Sequence, residues 1–271
     1  MIPTLYLGNT KEKIPILAIG TYGFRDKNAL KSALIYASDN GINHIDTAEM
    51  YKGAEEIVGE VIKEVGRSNL IITSKVLPYN GSFKKTIAAC ENSLKKMRTE
   101  YIDIYLLHFY TGQYPVEETL TAFERLSDQG KIRFYGISNF EVKEYDLLKD
   151  IFHKFRIINN QVDYNVMNAS FVEDTLAPLY SKHGVTLSGY SPFWQGRMPE
   201  KESLKTLENI ARKYGKTIYQ VILNFLTRKK DIFVIFKSEN KQHIKENIDS
   251  LSFSLDTEDI NAIKALSVKN R

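Results

Sequence analysis

Polar and apolar residues fall into a repeating block pattern along this chain. Short apolar runs of strand length are each followed by a longer stretch whose apolar positions recur at helical spacing. Strands are predicted at 16–20, 42–46, 70–75, 102–108, 132–138, 157–162, 185–190 and 232–236. The helices that follow them are predicted at 27–39, 54–64, 82–97, 116–128, 141–149, 171–183, the pair 202–213 and 218–228, and 241–248. Asp26 is placed to cap the first helix, and Asp256 or Thr257 to cap a terminal helix at 255–266. Ahead of the repeat, 4–7 and 13–16 read as a β-hairpin turning at Gly8-Asn9. Strands alternating with helices of this length pair in parallel, and eight such units close a (β/α)8 barrel. The expected architecture is thus an α/β TIM barrel with an N-terminal β-hairpin and extra helices near the C-terminus, one domain over 1–271. A doubly wound open sheet is the alternative, but Gly20-Thr21-Tyr22-Gly23 is not its G-x-G-x-x-G phosphate turn.

Length and composition add little to that picture. The 271 residues, 43% of them hydrophobic, are enough to bury a large core, and a barrel commonly uses about 250 residues as one unit. With 37 basic and 33 acidic residues the formal charge is +4, too weak and dispersed to point to nucleic acid or a membrane surface. Lys84-Lys85 and Lys95-Lys96 fall on helix faces expected to be solvated. The single cysteine, Cys90, lies inside a predicted helix, and no Cys/His cluster has metal-ligand spacing. The first residues lack a basic segment followed by an apolar one, and no run approaches ~18 apolar residues. A reduced, soluble, cytoplasmic protein is expected.

The chemistry sits at strand ends. Three predicted strands finish on Asp46, Lys75 and His108, and Tyr51 follows the first by five residues. A parallel barrel gathers such ends on one face, where its enzymes keep their active sites. A phenol titrates near ~10, so it needs a perturbing neighbour to work near neutral pH. An ammonium beside it favours the phenolate, and a carboxylate would keep that ammonium charged. An imidazole in the same place can hydrogen-bond a carbonyl oxygen. Such a set suits proton delivery to an oxygen that gains negative charge. Each residue also has an ordinary alternative: Asp46 a helix cap, Tyr51 one of 16 tyrosines, His108 a rim residue, Lys75 a paired buried lysine.

These segments resemble the aldo-keto reductase superfamily over nearly the whole chain. Asp46-Thr47-Ala48-Glu49-Met50-Tyr51 is similar to its Asp-Thr-Ala-x-x-Tyr signature. Residues 93–108, the Gly130-Lys131-Ile132-Arg133 to Gly136-Ile137-Ser138-Asn139-Phe140 run, residues 161–165 and Tyr190-Ser191-Pro192 match further motifs in order. The resemblance implies a monomeric barrel that binds an extended nicotinamide dinucleotide, NADPH, and reduces aldehydes or small ketones. On that basis Tyr51 is the general acid, tuned by Lys75 and Asp46, and His108 orients the carbonyl. Ser138, Asn139 and Gln161 hold the carboxamide and Tyr190 stacks on the nicotinamide. Gly20, Thr21 and Tyr22 form the first cofactor turn, and Ser191 and Phe193 belong to the segment near the pyrophosphate. Lys237, Ser238, His243, Glu246 and Asn247 take the adenosine end, where a helix N-terminus suits a phosphate.

Departures from the family pattern shape the expectation. His243 stands where an arginine grips the 2′-phosphate of NADP, and Phe236 replaces a proline. A largely neutral imidazole is the weaker phosphate partner, so reduced selectivity for NADPH over NADH is expected. Val76-Leu77-Pro78 lacks the aromatic that often follows the lysine, and Phe109-Tyr110 replaces an aromatic-proline pair. Only 267–271 follows the predicted last helix, which implies an open site of loose specificity. Trp194, the only tryptophan, is expected near the pyrophosphate cover or a substrate wall, or as a structural anchor. Two other functions remain: a nucleotide-binding regulatory subunit with little turnover, and a Schiff-base lyase using Lys75 as nucleophile.

Overall fold

The computed structural model describes residues 2–196 and 200–268. A two-stranded antiparallel hairpin, β1 (Thr4–Tyr6) and β2 (Lys13–Pro15), precedes eight parallel strands. These are β3 (Leu17–Gly20), β4 (His44–Asp46), β5 (Ile71–Val76), β6 (Ile102–Leu107), β7 (Ile132–Ser138), β8 (Ile157–Asp163), β9 (Thr186–Tyr190) and β10 (Ile232–Phe236). Each pairs with the next, and β10 pairs with both β9 and β3, so the sheet closes into the expected (β/α)8 barrel. The strands are buried on both faces, which is why they read as continuous apolar runs.

The helices form because local signals agree with the apolar stripe. Asp26 caps α1 (Lys27–Asp39) through its carboxylate, which accepts the Ala29 amide at 2.7 Å. Glu55 and Glu56 open α2 (Ala54–Val65), favourable against the positive end of its dipole. Then follow α3 (Phe83–Met97), α4 (Val116–Asp128) and α5 (Val142–Leu148), the last begun by a Glu141–Glu144 capping box. The predicted uninterrupted helix at 171–183 is instead broken: α6 (Ala169–Phe171) passes through a π turn at Val172–Leu176 into α7 (Ala177–Ser181). Pro178 has no amide hydrogen with which to close an α turn onto Asp174, and the wider turn absorbs the defect.

Two helices, α8 (Lys201–Tyr214) and α9 (Ile218–Thr227), follow β9, and α10 (Lys241–Asp249) follows β10. The final helix α11 runs Thr257–Val268, later at both ends than predicted; Asp256 caps it, accepting the Asp259 amide at 2.9 Å. The expected tail at 267–271 thus begins inside this helix, and 269–271 lie outside the described residues.

The hairpin plugs the N-terminal end of the barrel. Leu7 and Ile14 are buried there, and the Gly8 amide donates to Thr186 Oγ1 at 2.6 Å. Gly8 has φ +57, and a Cβ on it would lie 2.6 Å from the Gly184 carbonyl oxygen, so no larger residue fits. With that pole closed, the strand C-termini and their loops are the open face.

Candidate active site

Asp46 is the last residue of β4, Lys75 the next to last of β5, and His108 the first residue after β6. Because the three strands are neighbours, these side chains emerge side by side. The Lys75 ammonium donates to Asp46 Oδ1 at 2.6 Å and to the Thr47 carbonyl at 2.8 Å, with no exposed surface. It lies 5.1 Å from the centre of the Tyr51 ring. That ring meets the His108 imidazole nearly edge-on, centroids 5.7 Å apart at 79°, and Tyr22 covers another edge at 5.1 Å.

The loop that carries Tyr51 is fixed by its own backbone. The Glu49 amide donates to the Lys75 carbonyl at 3.2 Å, and the Tyr51 amide to the Ala48 carbonyl at 3.0 Å. Glu49 also reaches across to the loop after β5, accepting Asn80 Nδ2 at 3.0 Å and the Leu77 amide at 2.5 Å.

The electrostatics follow from burial set against charge. Desolvation works against the Lys75 ammonium, yet Asp46 and Tyr51 outweigh it and hold the lysine above its ordinary value. For Tyr51 the balance goes the other way. Burial raises the phenol and Lys75 pulls it back only in part, so it ends above its ordinary value rather than below. His108 is pushed down to about 4 by burial and by Lys75, leaving a neutral imidazole whose buried Nδ1 has no partner among the described residues.

Around this core the amide-bearing residues form one hydrogen-bonded chain. Gln161 Nε2 donates to Asp46 Oδ2 at 2.8 Å, the second oxygen of the carboxylate that holds Lys75. The Gln161 carbonyl accepts from Ser138 Oγ and from the Asn139 amide, both at 2.8 Å. Asn139 takes a left-handed φ of 61 and donates through Nδ2 to the His108 carbonyl at 3.0 Å. Its Oδ1 accepts the Tyr190 hydroxyl at 2.7 Å, which fixes a half-buried ring at the mouth.

Gly20 pairs with Asp46 across β3 and β4, and Thr21 Oγ1 donates to the Asp46 carbonyl at 3.1 Å. Tyr22 is exposed beside Tyr51. Ser191 and Trp194 both have positive φ, 54 and 49, in the turn after β9. There Phe193 packs edge-on against Tyr219 of α9, while the Trp194 indole donates to Asn165 Oδ1 at 3.0 Å as a structural anchor.

Lys237 and Ser238 follow β10, next to β3. Ser238 is buried and accepts the Asn240 amide at 3.1 Å, ahead of α10. On that helix His243 is exposed, Glu246 accepts from Gln242 Nε2 at 3.0 Å, and Asn247 is buried. Asp46, Tyr51, Lys75 and His108 thus lie together at the C-terminal ends of β4 to β6, Ser138, Asn139, Gln161 and Tyr190 adjoin them through hydrogen bonds, and Lys237, Ser238, His243, Glu246 and Asn247 follow β10.

Three contributors were not legible beforehand. The Thr47 carbonyl is a backbone atom with no sequence signal. Glu49 lay inside the matched motif as an unassigned position. Glu239, whose carboxylate accepts the Arg25 and Asp26 amides at 3.1 and 2.9 Å and pairs with Lys237, could have been noticed only as an acid two residues from a proposed phosphate ligand.

Comparisons with known proteins point to one family. The family model for the aldo/keto reductase family matches residues 17–268. The chain is 35% identical to glyoxal reductase of Bacillus subtilis, over 99% of this chain and 94% of that protein. It is 32% identical to methylglyoxal reductase YeaE of Escherichia coli, over 91% and 89%. Among solved structures, the thermostable aldo-keto reductase Tm1743 with the inhibitor epalrestat superposes with a TM-score of 0.91 at 34% identity, covering 98% of this chain and 100% of that one. An aldo-keto reductase from Klebsiella pneumoniae in complex with NADPH gives 0.89 at 30%, covering 98% and 95%.

Proposed function

Since the chain belongs to the aldo/keto reductase family, we propose that it reduces aldehydes and small ketones to alcohols with a nicotinamide dinucleotide, Tyr51 acting as general acid. The observation that carries the reading is the contact set around Lys75, which joins a phenol, a carboxylate and an imidazole at one mouth.

The residues present fit a nicotinamide dinucleotide. The half-buried Tyr190 ring, held by Asn139, offers a face for a planar ring, and the N-terminal turn of α10, with Lys241 in it, suits a negatively charged group. Ser138, Asn139 and Gln161 would hold the carboxamide. Gly20, Thr21, Tyr22, Ser191 and Phe193 would flank the dinucleotide's middle, and Lys237, Ser238, His243, Glu246 and Asn247 its adenosine end. When bound, the reduced nicotinamide supplies the hydride.

Tyr51 stays protonated through neutral pH because burial raises it, so it has a proton to give. Its phenolic proton passes to a carbonyl oxygen as that oxygen gains negative charge. The phenolate left behind faces the Lys75 ammonium, which Asp46 keeps charged. His108, neutral in the same range, presents an imidazole that hydrogen-bonds the carbonyl oxygen without competing as an acid. Tyr22, beside Tyr51, and Met50, next to it in sequence, are both exposed, which suits an open site of loose specificity.

Two other functions fare worse. A Schiff-base nucleophile must be a neutral amine, whereas Lys75 is held above its ordinary value by Asp46. A nucleotide-binding subunit without turnover has no use for a completed proton-donor set.

The test is oxidation of NADPH and of NADH with a panel of aldehydes, headed by glyoxal and methylglyoxal, after which the two relatives are named. Turnover on several of them supports the proposal. Tight nucleotide binding with no turnover on any would favour the regulatory alternative.

A further inference from the structure

The loop that carries Tyr51, residues 47–53, leaves the barrel between β4 and α2 with no regular secondary structure of its own. Strand β4 ends at Asp46, while its neighbour β5 runs on to Val76. Glu49 covers the difference. Its amide donates to the Lys75 carbonyl at 3.2 Å, and its carboxylate accepts the Leu77 amide at 2.5 Å. In continued parallel pairing the Glu49 carbonyl would take that amide. Here the side chain takes it instead.

The far end of this bridge is firm. Asn80 Nδ2 also donates to the carboxylate, at 3.0 Å, from the short turn Pro78–Asn80. Within that turn the Asn80 amide donates to the Leu77 carbonyl at 2.9 Å, and Thr86 Oγ1 of α3 donates to the Asn80 carbonyl at 2.8 Å. A charged acceptor makes the stronger kind of hydrogen bond. By contrast, the Tyr51 amide bonds to the Ala48 carbonyl and the Tyr51 carbonyl to the Ala54 amide, contacts that shape the loop but do not set its distance from β5.

We propose that Glu49 is a positioning residue for the reduction: it ties the Tyr51 loop to the chain just past Lys75 and so fixes the phenol ring at 5.1 Å from the ammonium. The inference rests on Tyr51 as the proton donor. Glu49 acts through that residue's placement, and a misplacement of about 1 Å can cost on the order of a hundredfold in rate.

Kinetics and amide exchange together test this. In Glu49→Ala, kcat for methylglyoxal with NADPH should fall about tenfold to a hundredfold, while KM and NADPH affinity stay within about twofold of wild type. Leu77 and Asn80 are half-buried, so water can reach the freed donors and the unfolding midpoint should move little. Glu49→Gln keeps an oxygen for the Leu77 amide and should recover kcat to within about threefold. The Leu77 amide should exchange slowly in wild type and in Glu49→Gln, and at least about tenfold faster in Glu49→Ala. An unchanged kcat in Glu49→Ala, or a rise in KM alone, overturns the inference and leaves the reductase reading standing. If Glu49→Ala does not fold, Glu49→Asp, one methylene shorter, takes its place with the same expected loss. A Leu77 amide that exchanges freely in wild type overturns the inference whatever the variants do. Absence of turnover in wild type on every aldehyde would sink the reductase reading and this inference with it.

Discussion

Lys75 has no side-chain surface in contact with water, and a buried ammonium stays charged only through its surroundings. Asp46→Asn keeps the shape of its partner but removes the counter-charge. The variant is expected to lose about 3 kcal/mol in a urea unfolding titration, the cost of stranding one member of a buried pair. Its reductase turnover should fall with it. Full stability would mean that the pair contributes little to the fold. The grouping of these four residues was legible in sequence because three end apolar runs that a parallel barrel brings together and the fourth follows closely, although each alone had an ordinary alternative. The direction of the Tyr51 shift was not legible. It depends on how much burial opposes Lys75, and burial is a property of the packed loop rather than of the motif.

Elements were read well where apolar periodicity was strong and less well where backbone detail intervened. Pro178 was visible, yet its effect, a π turn within an otherwise helical run, depends on how the chain packs beneath β8 and β9. The register shift between β7 and β8 at Tyr135–Ile137 was likewise hidden. Gly136 lies in that irregularity. A Cβ there would sit 2.2 Å from the Asn159 carbonyl oxygen, which is backbone and cannot swing aside. Gly136→Ala is therefore expected to cost more than about 2 kcal/mol in thermal or chemical unfolding, from overpacking between two barrel strands. A change under about 0.5 kcal/mol would show that the strands part more easily than their pairing suggests. At the turn after β9, Asn165→Ala removes the acceptor for the Trp194 indole. Trp194 emission should shift to longer wavelength, while the far-ultraviolet circular dichroism stays unchanged. Unaltered emission would place the anchor elsewhere, in the packing around the indole.

For the whole molecule, eight strand-helix repeats with no Gly-rich phosphate turn after the first strand favoured closure over a doubly wound open sheet, and the barrel closes. Closure also buries titratable groups. His44, deep in the barrel against Phe233, is pushed down to about 4 chiefly by desolvation, and His108 to about 4 for the same leading reason. Both fall below their ordinary 6.5. Between those limits the unfolded chain binds protons that the folded protein refuses. The contribution of these two histidines is therefore complete above about pH 6.5 and is lost as pH falls toward 4, by a few kcal/mol, while the Asp163 carboxyl, pushed up to about 6 by burial, offsets part of that loss. Chemical unfolding midpoints across that range should show the decline, and His108→Gln should make it shallower; equal slopes would contradict the shift assigned to His108.

The claim on which the mechanism turns is that Tyr51 hands over the proton, and Tyr51→Phe isolates it, since the ring remains and only the hydroxyl is lost. Single-turnover oxidation of bound NADPH by methylglyoxal should slow at least a thousandfold in this variant, while nucleotide affinity, read from Trp194 fluorescence, stays within about twofold of wild type. Wild-type turnover in Tyr51→Phe would contradict the account.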